Sequence, residues 1–159
     1  MKSESGINWV ILDVDGVMTD GKLYFTSQGE EIKVFSVYDG LALNNLRNAG
    51  KRICVISGRG SDALRNRLNE FSISEMHLNR PDKGPVMEEL YTKYGNEIYN
   101  AAAIGDDLPD LAVFKLVKYS FAVNNAVPEL KHVATHQLKK FGGDGAVREM
   151  VDYILKNKM

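Results

Sequence analysis

The stretch Trp9-Val10-Ile11-Leu12-Asp13-Val14-Asp15-Gly16-Val17 decides how the rest of this chain is read. Its apolar, β-branched start has the character of a buried strand. That strand delivers two carboxylates, one residue apart, to its own carboxyl end. Gly16 then allows a tight turn of the backbone. Two acids at the end of a buried strand repel each other, and a divalent cation such as Mg²⁺ offsets them, since it takes carboxylates, carbonyls, water and phosphate oxygens. Taken alone, Asp-x-Asp-Gly has a plainer explanation as an Asx-type turn that closes a strand. The residues downstream favour the cation.

Three further elements follow in a chemically meaningful order. Arg52-Ile53-Cys54-Val55-Ile56 reads as a second buried strand that runs into Ser57-Gly58-Arg59-Gly60 and then a helical stretch. A Ser and glycines between strand and helix suit a phosphate-binding turn, with the hydroxyl and backbone N–H groups facing an anion at a helix N-terminus. Lys83 stands at the start of the amphipathic run Val86–Tyr94 and offers a point charge to phosphate and to the first acid. Asn100-Ala101-Ala102-Ala103-Ile104 then leads into Gly105-Asp106-Asp107-Leu108-Pro109-Asp110, a strand that ends in a second acidic turn with further metal ligands.

Together, Asp-x-Asp-Gly-Val, Ser-Gly-Arg, Lys and Gly-Asp-Asp-x-x-Asp resemble the four motifs of the haloacid dehalogenase-like phosphatase superfamily. Local strings sharpen the resemblance to one capless branch, the 3-deoxy-D-manno-octulosonate 8-phosphate phosphatases and their nonulosonate relatives. These strings are Leu12–Gly21, Gly29–Lys33, Val37–Gly40, Ile104–Asp110 and Gly142–Glu149, and the similarity runs from about Trp9 to about Leu155.

Composition agrees with a compact soluble enzyme. The chain has 159 residues, 44% of them hydrophobic and 26% charged, which suits one domain over 1–159. A net charge of −1 gives no electrostatic reason to expect nucleic acid or an anionic membrane as partner. No apolar run is long enough to span a bilayer, and no signal-peptide pattern is visible at the N-terminus. The single Cys54 lies in an apolar strand, excludes an internal disulfide, and fits a reducing, cytoplasmic setting as a core residue.

Strands are expected near Trp9–Val14, Arg52–Ile56, Met76–Leu78, Ala101–Ile104 and Tyr119–Ala122. Helices are expected near Leu41–Ala49, Asp62–Phe71, Lys83–Tyr94, Leu108–Val117, Val127–His132 and Ala146–Asn157. The alternation predicts an α/β fold: a Rossmann-like, doubly wound parallel sheet with helices on both faces. Ligands in such a sheet bind outside the carboxyl ends of the strands. One segment breaks the alternation. Leu23–Phe25 and Glu31–Phe35 flank Thr26–Glu30 and read as an inserted β-hairpin flap, about residues 20–37. The spacings from Asp15 to Ser57 and from Lys83 to Asp106 leave no room for a cap domain. An exposed apolar hairpin is a liability unless it is paired, and the resembled branch is tetrameric through such hairpins. A homotetramer, with neighbouring subunits closing each site, is therefore expected.

Transferred residue by residue, the resemblance implies a Mg²⁺-dependent phosphomonoesterase that acts on a sugar-acid phosphate through an aspartyl-phosphate. Asp13 is the expected nucleophile and Asp15 the acid–base that serves leaving group and water in turn. The Asp13 carboxylate, the Asp15 carbonyl and Asp106 are the expected metal ligands, while Ser57 and Lys83 hold phosphoryl oxygens. Asp107 and Asp110 are assigned supporting roles, Asp110 either orienting Lys83 or a metal-bound water or capping a helix. The expected substrate contacts are Asp15, Asp39, Gly40, Arg59, Arg67 and Lys83; an Arg fork suits a sugar carboxylate. Arg67 is equally readable as part of a solvated helix face.

Octulosonate 8-phosphate is the expected substrate. Tyr38, Asn44 and Asp144 stand where that branch commonly carries Arg, which keeps a nonulosonate 9-phosphate open. A non-catalytic oligomerisation module is the alternative of another class, and the presence of Asp13, Asp15, Ser57, Lys83 and Asp106 counts against it. A phosphotransferase or mutase is disfavoured because no cap keeps water from the intermediate. The scattered His77, His132 and His136 lack metal-ligand spacing. The Gly142–Gly145 turn is read as a loop and cap or a phosphate cradle; the resemblance implies that this tail reaches a neighbouring active site, with Arg148 a candidate participant.

Overall fold

The computed structural model describes residues 6–159. In chain order it comprises strand β1 (Trp9–Leu12), the hairpin strands β2 (Tyr24–Phe25) and β3 (Glu31–Ile32), helix α1 (Val37–Asn48), β4 (Arg52–Ile56), α2 (Asp62–Leu68), β5 (Glu75–His77), α3 (Gly84–Tyr94), α4 (Asn96–Tyr99), β6 (Ala102–Gly105), a 3₁₀ turn (Leu108–Asp110), α5 (Leu111–Phe114), β7 (Tyr119–Ala122), α6 (Pro128–Val133), β8 (His136–Gln137) and α7 (Ala146–Lys156).

Six strands form one parallel sheet in the order β5-β4-β1-β6-β7-β8. β1 and β4 are buried from end to end or nearly so, as strands covered on both faces must be. α1 packs on α7, and α3 on α4 and α5, so helices cover both faces. The core is continuous from Ile7 and Trp9 through Val55, Leu68 and Met87 to Phe121 and Ile154. From β1 the chain steps to β4 and β5 on one side, then returns to add β6, β7 and β8 on the other. The crevice at that switch lies between the carboxyl ends of β1 and β6, which are the ends that carry Asp13 and Asp106.

Local chemistry moves several expected boundaries. β1 stops at Leu12, because Asp13 and its successors leave the ladder for the turn; the Asp13 N–H still donates to the Ile104 carbonyl at 3.3 Å. α1 starts at Val37 rather than Leu41, because the Ser36 hydroxyl accepts from the Tyr38 N–H at 3.2 Å and caps it. Tyr38, Asp39 and Gly40 therefore sit in a helical first turn. α2 ends at Leu68, three residues before the expected Phe71. The expected helix Leu108–Val117 is a Pro109-containing 3₁₀ turn followed by the four-residue α5. The hairpin is shorter than expected, with two residues in each strand. The short β8 and α4 had no sequence signal.

Candidate active site

Asp13 follows β1 directly, and Lys83 reaches it from the residue before α3. The Lys83 ammonium lies 2.6 Å from Asp13 Oδ1 and 2.6 Å from Asp110 Oδ1, with its side chain 4% exposed. Pro85 favours the start of α3 just behind it. Burial alone lowers a lysine pKa, but here Asp13 and Asp110 outweigh it and hold the ammonium above its usual range. Asp110 is shared. Its other oxygen accepts from the Asp106 N–H at 2.9 Å and the Asp107 N–H at 3.4 Å, so it orients Lys83 and also shapes the acidic turn after β6. Both roles expected for Asp110 as alternatives, orienting Lys83 and capping, are present at once. Asp107 is exposed and caps the 3₁₀ turn through the Leu108 N–H at 2.7 Å.

Asp13, Asp106 and Asp110 offer carboxylate oxygens that all lie within 4.8 Å of one another. Three acids face one ammonium. Burial raises the Asp13 pKa to about 6 against the pull of Lys83, with Asp110 adding to the rise. Burial and the charges of Asp13 and Asp110 raise Asp106 to about 8. An all-oxygen, carboxylate-rich set with uncompensated negative charge fits Mg²⁺. Gly16, at φ +92°, is what admits this crowding: a Cβ there would sit 1.9 Å from Asp106 Oδ2. The turn is braced from behind by the tail. The Gly143 N–H donates to the Val17 carbonyl at 3.0 Å, and a Cβ on Gly142 would meet the Gly16 carbonyl oxygen at 1.8 Å. The Gly142–Gly143 pair thus supports the acidic turn rather than cradling phosphate.

The turn after β4 sits on the other wall. Gly58, Arg59, Pro81 and Lys83 line a cleft of about 290 Å³ together with Asp13, Asp15, Asp106, Asp107, Pro109 and Asp110. Ser57 is fully buried beneath it, and its hydroxyl accepts from the Arg59 N–H at 3.3 Å. The expected link between this turn and a helix N-terminus needs correction. α2 starts at Asp62, five residues after Ser57, and Ser61 caps it by accepting from the Leu64 N–H.

The profile of the haloacid dehalogenase-like hydrolases matches residues 72–150. The 3-deoxy-D-manno-octulosonate 8-phosphate phosphatase of Haemophilus influenzae is 41% identical over 150 residues, which cover 94% of this chain and 83% of that protein. The chain belongs to the octulosonate 8-phosphate phosphatase family. The phosphatase of the same name from Escherichia coli K12 is 35% identical over 149 residues, 94% of this chain and 79% of that one. The Moraxella catarrhalis octulosonate 8-phosphate phosphatase, solved with a magnesium ion, a phosphate ion and a KDO molecule, matches with a TM-score of 0.91 at 37% identity, over 96% of this chain and 87% of that chain. The cobalt-bound Haemophilus influenzae enzyme gives 0.88 at 41% identity, over 96% and 89%.

In this octulosonate phosphatase family member, the residues expected to read the sugar fall in two places. Arg59 lines the cleft, and its guanidinium lies 3.2 Å from Glu31 of the hairpin. Asp39, Gly40 and Arg67 do not line the cleft of this chain. The early start of α1 turns the buried Asp39 toward α7, where it accepts from the Arg148 N–H at 2.9 Å and caps a helix whose own N-cap is Gly145. Gly40 makes room for Arg67: a Cβ there would lie 2.5 Å from its guanidinium. Arg67 itself stacks on Phe71, pairs with Glu70 at 2.7 Å and donates to the Ser36 carbonyl. It is an anchor between α1 and α2. Tyr38 and Asp144 line a second groove with Lys139, Lys140 and Arg148, whereas Asn44 does not line it. The Arg148 side chain is engaged by Asp152 at 2.8 Å.

Two residues at the cleft carried no functional reading from sequence. Lys33 pairs with Asp15 at 2.6 Å, and Glu31 contacts both Lys33 at 3.4 Å and Arg59. The signal was present in the alternation Glu31-Ile32-Lys33-Val34. Such a strand shows the odd residues to one face and the even ones to the other.

Proposed function

We propose that this chain is a Mg²⁺-dependent phosphoric monoester hydrolase whose substrate is 3-deoxy-D-manno-octulosonate 8-phosphate. The observation that carries the reading is Lys83 bridging Asp13 and Asp110 at 2.6 Å, with Asp106 in the same carboxylate cluster. The identity to enzymes so named, and the KDO molecule in the Moraxella catarrhalis structure, support the choice of sugar.

Asp13 attacks phosphorus, forming an Asp–O–P bond as the sugar–O–P bond breaks. Lys83 keeps the carboxylate ionised and aimed, and it faces a phosphoryl oxygen during transfer. Asp15 gives a proton to the departing sugar alkoxide, then takes one from the water that cleaves the aspartyl-phosphate. A positioned acid–base of this kind typically contributes about 10²–10⁴-fold. Asp13, the Asp15 carbonyl and Asp106 would hold Mg²⁺, which would supply positive charge against the phosphoryl group. Gly58 and Arg59 form the opposite wall with Ser57 buried behind them, and Arg59 meets the sugar acid.

The reading includes a single domain that works as a homotetramer. Leu23, Phe25, Ile32 and Val34 are about half exposed on the hairpin, and α1 adds Val37 and Tyr38 at its start. An apolar strip of this extent on a two-stranded edge calls for a partner. No helix of the described residues is long and apolar enough to cross a membrane, and burial pushes the Cys54 thiol far up, away from nucleophilic use. The reading takes the protein as a cytoplasmic enzyme whose partners are its own copies and a small sugar phosphate.

The test is phosphate release, with and without Mg²⁺, from octulosonate 8-phosphate, nonulosonate 9-phosphates and neutral hexose phosphates. A kcat/KM at least tenfold higher for octulosonate 8-phosphate than for any other ester is expected. Preference for a nine-carbon acid would transfer the assignment to that sugar, in keeping with Tyr38 and Asp144 in the second groove. Bound Mg²⁺ without any turnover would leave an assembly module.

A further inference from the structure

We infer that Lys33, carried on the hairpin, is the positioning residue that aims the Asp15 carboxylate. The inference rests on the reading of Asp15 as the acid–base. Each carboxylate of the Asp-x-Asp pair has its own lysine: Lys83 for Asp13 and Lys33 for Asp15, both at 2.6 Å. No other side-chain hydrogen bond reaches the Asp15 carboxylate among the described residues. The tail braces the backbone of the turn at Gly16 and Val17 but makes no bond to the Asp15 carboxylate. The Lys33 side chain is 4% exposed although it directly follows the two-residue β3 at the edge of the hairpin.

The hairpin's geometry explains this burial. Glu31 and Lys33 face inward, whereas Ile32 and Val34 are 49% and 58% exposed. Glu31 then ties the strand down by contacting Lys33 at 3.4 Å and Arg59 of the phosphate turn at 3.2 Å. The ionic chain Asp15–Lys33–Glu31–Arg59 thus crosses the cleft mouth from one wall to the other. A proton-transfer group must sit within hydrogen-bond reach of the oxygen it serves, and a displacement of about 1 Å can cost 10²-fold in rate. Lys33 supplies that constraint to Asp15 without needing to touch the phosphate.

The consequence separates by step. A sugar alkoxide leaves with a proton from Asp15, so transfer to Asp13 slows when Asp15 is loose. A p-nitrophenolate leaves without one, so its transfer does not. Cleavage of the aspartyl-phosphate needs Asp15 as base whatever the first leaving group was.

The experiment compares wild type, Lys33→Met and Lys33→Arg, with far-UV circular dichroism to confirm folding. Steady-state hydrolysis of octulosonate 8-phosphate and stopped-flow release from p-nitrophenyl phosphate are both read. Lys33→Met is expected to lower kcat on the sugar phosphate about 10²-fold with KM within threefold. On the aryl ester it should give a stoichiometric burst of p-nitrophenolate followed by slow turnover. Lys33→Arg keeps the charge and should recover at least a tenth of the wild-type kcat. A loss in KM alone would make Lys33 a substrate contact and overturn the inference. So would wild-type kinetics, or an aryl transfer step slowed as much as the sugar reaction. A wild-type chain that cleaves no phosphate ester would sink the phosphatase reading itself, and the Lys33 inference with it. Activity in wild type with an indifferent Lys33→Met would sink this inference alone.

Discussion

Asp13 faces one ammonium and two other carboxylates, and that imbalance sets what its substitution does. Asp13→Asn keeps the shape and one oxygen but removes the nucleophile, so turnover on octulosonate 8-phosphate should vanish into the assay background. Asp15→Asn should slow turnover by about 10²–10⁴-fold while Mg²⁺ affinity, read by isothermal titration calorimetry, stays within a few-fold. That difference follows because Asp15 is assigned to the metal through its carbonyl, which the substitution leaves in place. Measurable phosphate release by Asp13→Asn at near the wild-type rate would refute a covalent aspartyl-phosphate. At this scale the sequence was most legible. Asp13, Asp106, Lys83 and Asp110 converge because each stands at the end of a strand or the start of a helix whose apolar pattern was readable. Asp39 and Arg67 lie away from this chain's cleft, Asp39 because a capping Ser36 moves the start of α1, and no apolar period reports a cap on a different helix.

The hairpin is the element whose role is least local. Its inward residues reach the cleft, and its outward residues Ile32 and Val34 stand 49% and 58% exposed. Val34→Lys places a charge on the outward face and leaves Lys33 and Glu31 untouched. Light scattering after size exclusion should then show wild type as a tetramer at micromolar concentration and Val34→Lys as a smaller species with unchanged secondary structure. A monomeric wild type would remove the case for subunits closing the site. The hairpin was visible from its Gly-containing loop between two apolar runs, and so was its exposure. Its chemistry went unread, although the alternation Glu31-Ile32-Lys33-Val34 carried it, because that alternation runs only two residues past a two-residue strand. The same shortness hid β8, while the split of the expected helix Leu108–Val117 was signalled by Pro109 and read too generously.

For the whole molecule, the acid cluster makes stability depend on pH in a direction opposite to that of most carboxylates. Burial raises Asp13 from 3.8 to about 6 and Asp106 from 3.8 to about 8. The folded chain therefore binds more protons than the unfolded chain between those values, and unfolding free energy falls as pH rises through that window. Asp39 is also raised, by burial, and acts in the same sense. Lys83, held above its usual range by its two acids, stays charged throughout the window and adds no slope there. Asp20, Glu31, Glu75 and Glu89 are lowered by their partners and contribute stability that is lost as pH drops below about 4.5. Asp20 and Glu89 are exposed and weigh less than the half-buried Glu31 and Glu75. The metal-free protein should melt highest near pH 5 and lower at pH 8, by on the order of 5 °C, which corresponds to about 2 kcal/mol in a chain of this size. Excess Mg²⁺ binds the ionised cluster of the folded state and should reverse the order, stabilising most at pH 8. Asp106→Asn removes the most strongly shifted acid, so both the apo slope and the Mg²⁺ response should flatten in thermal melts. A metal-free melting curve that rises from pH 5 to 8 would mean that burial does not hold these carboxylates up, and an Asp106→Asn protein with an undiminished Mg²⁺ response would mean that they do not share the cation.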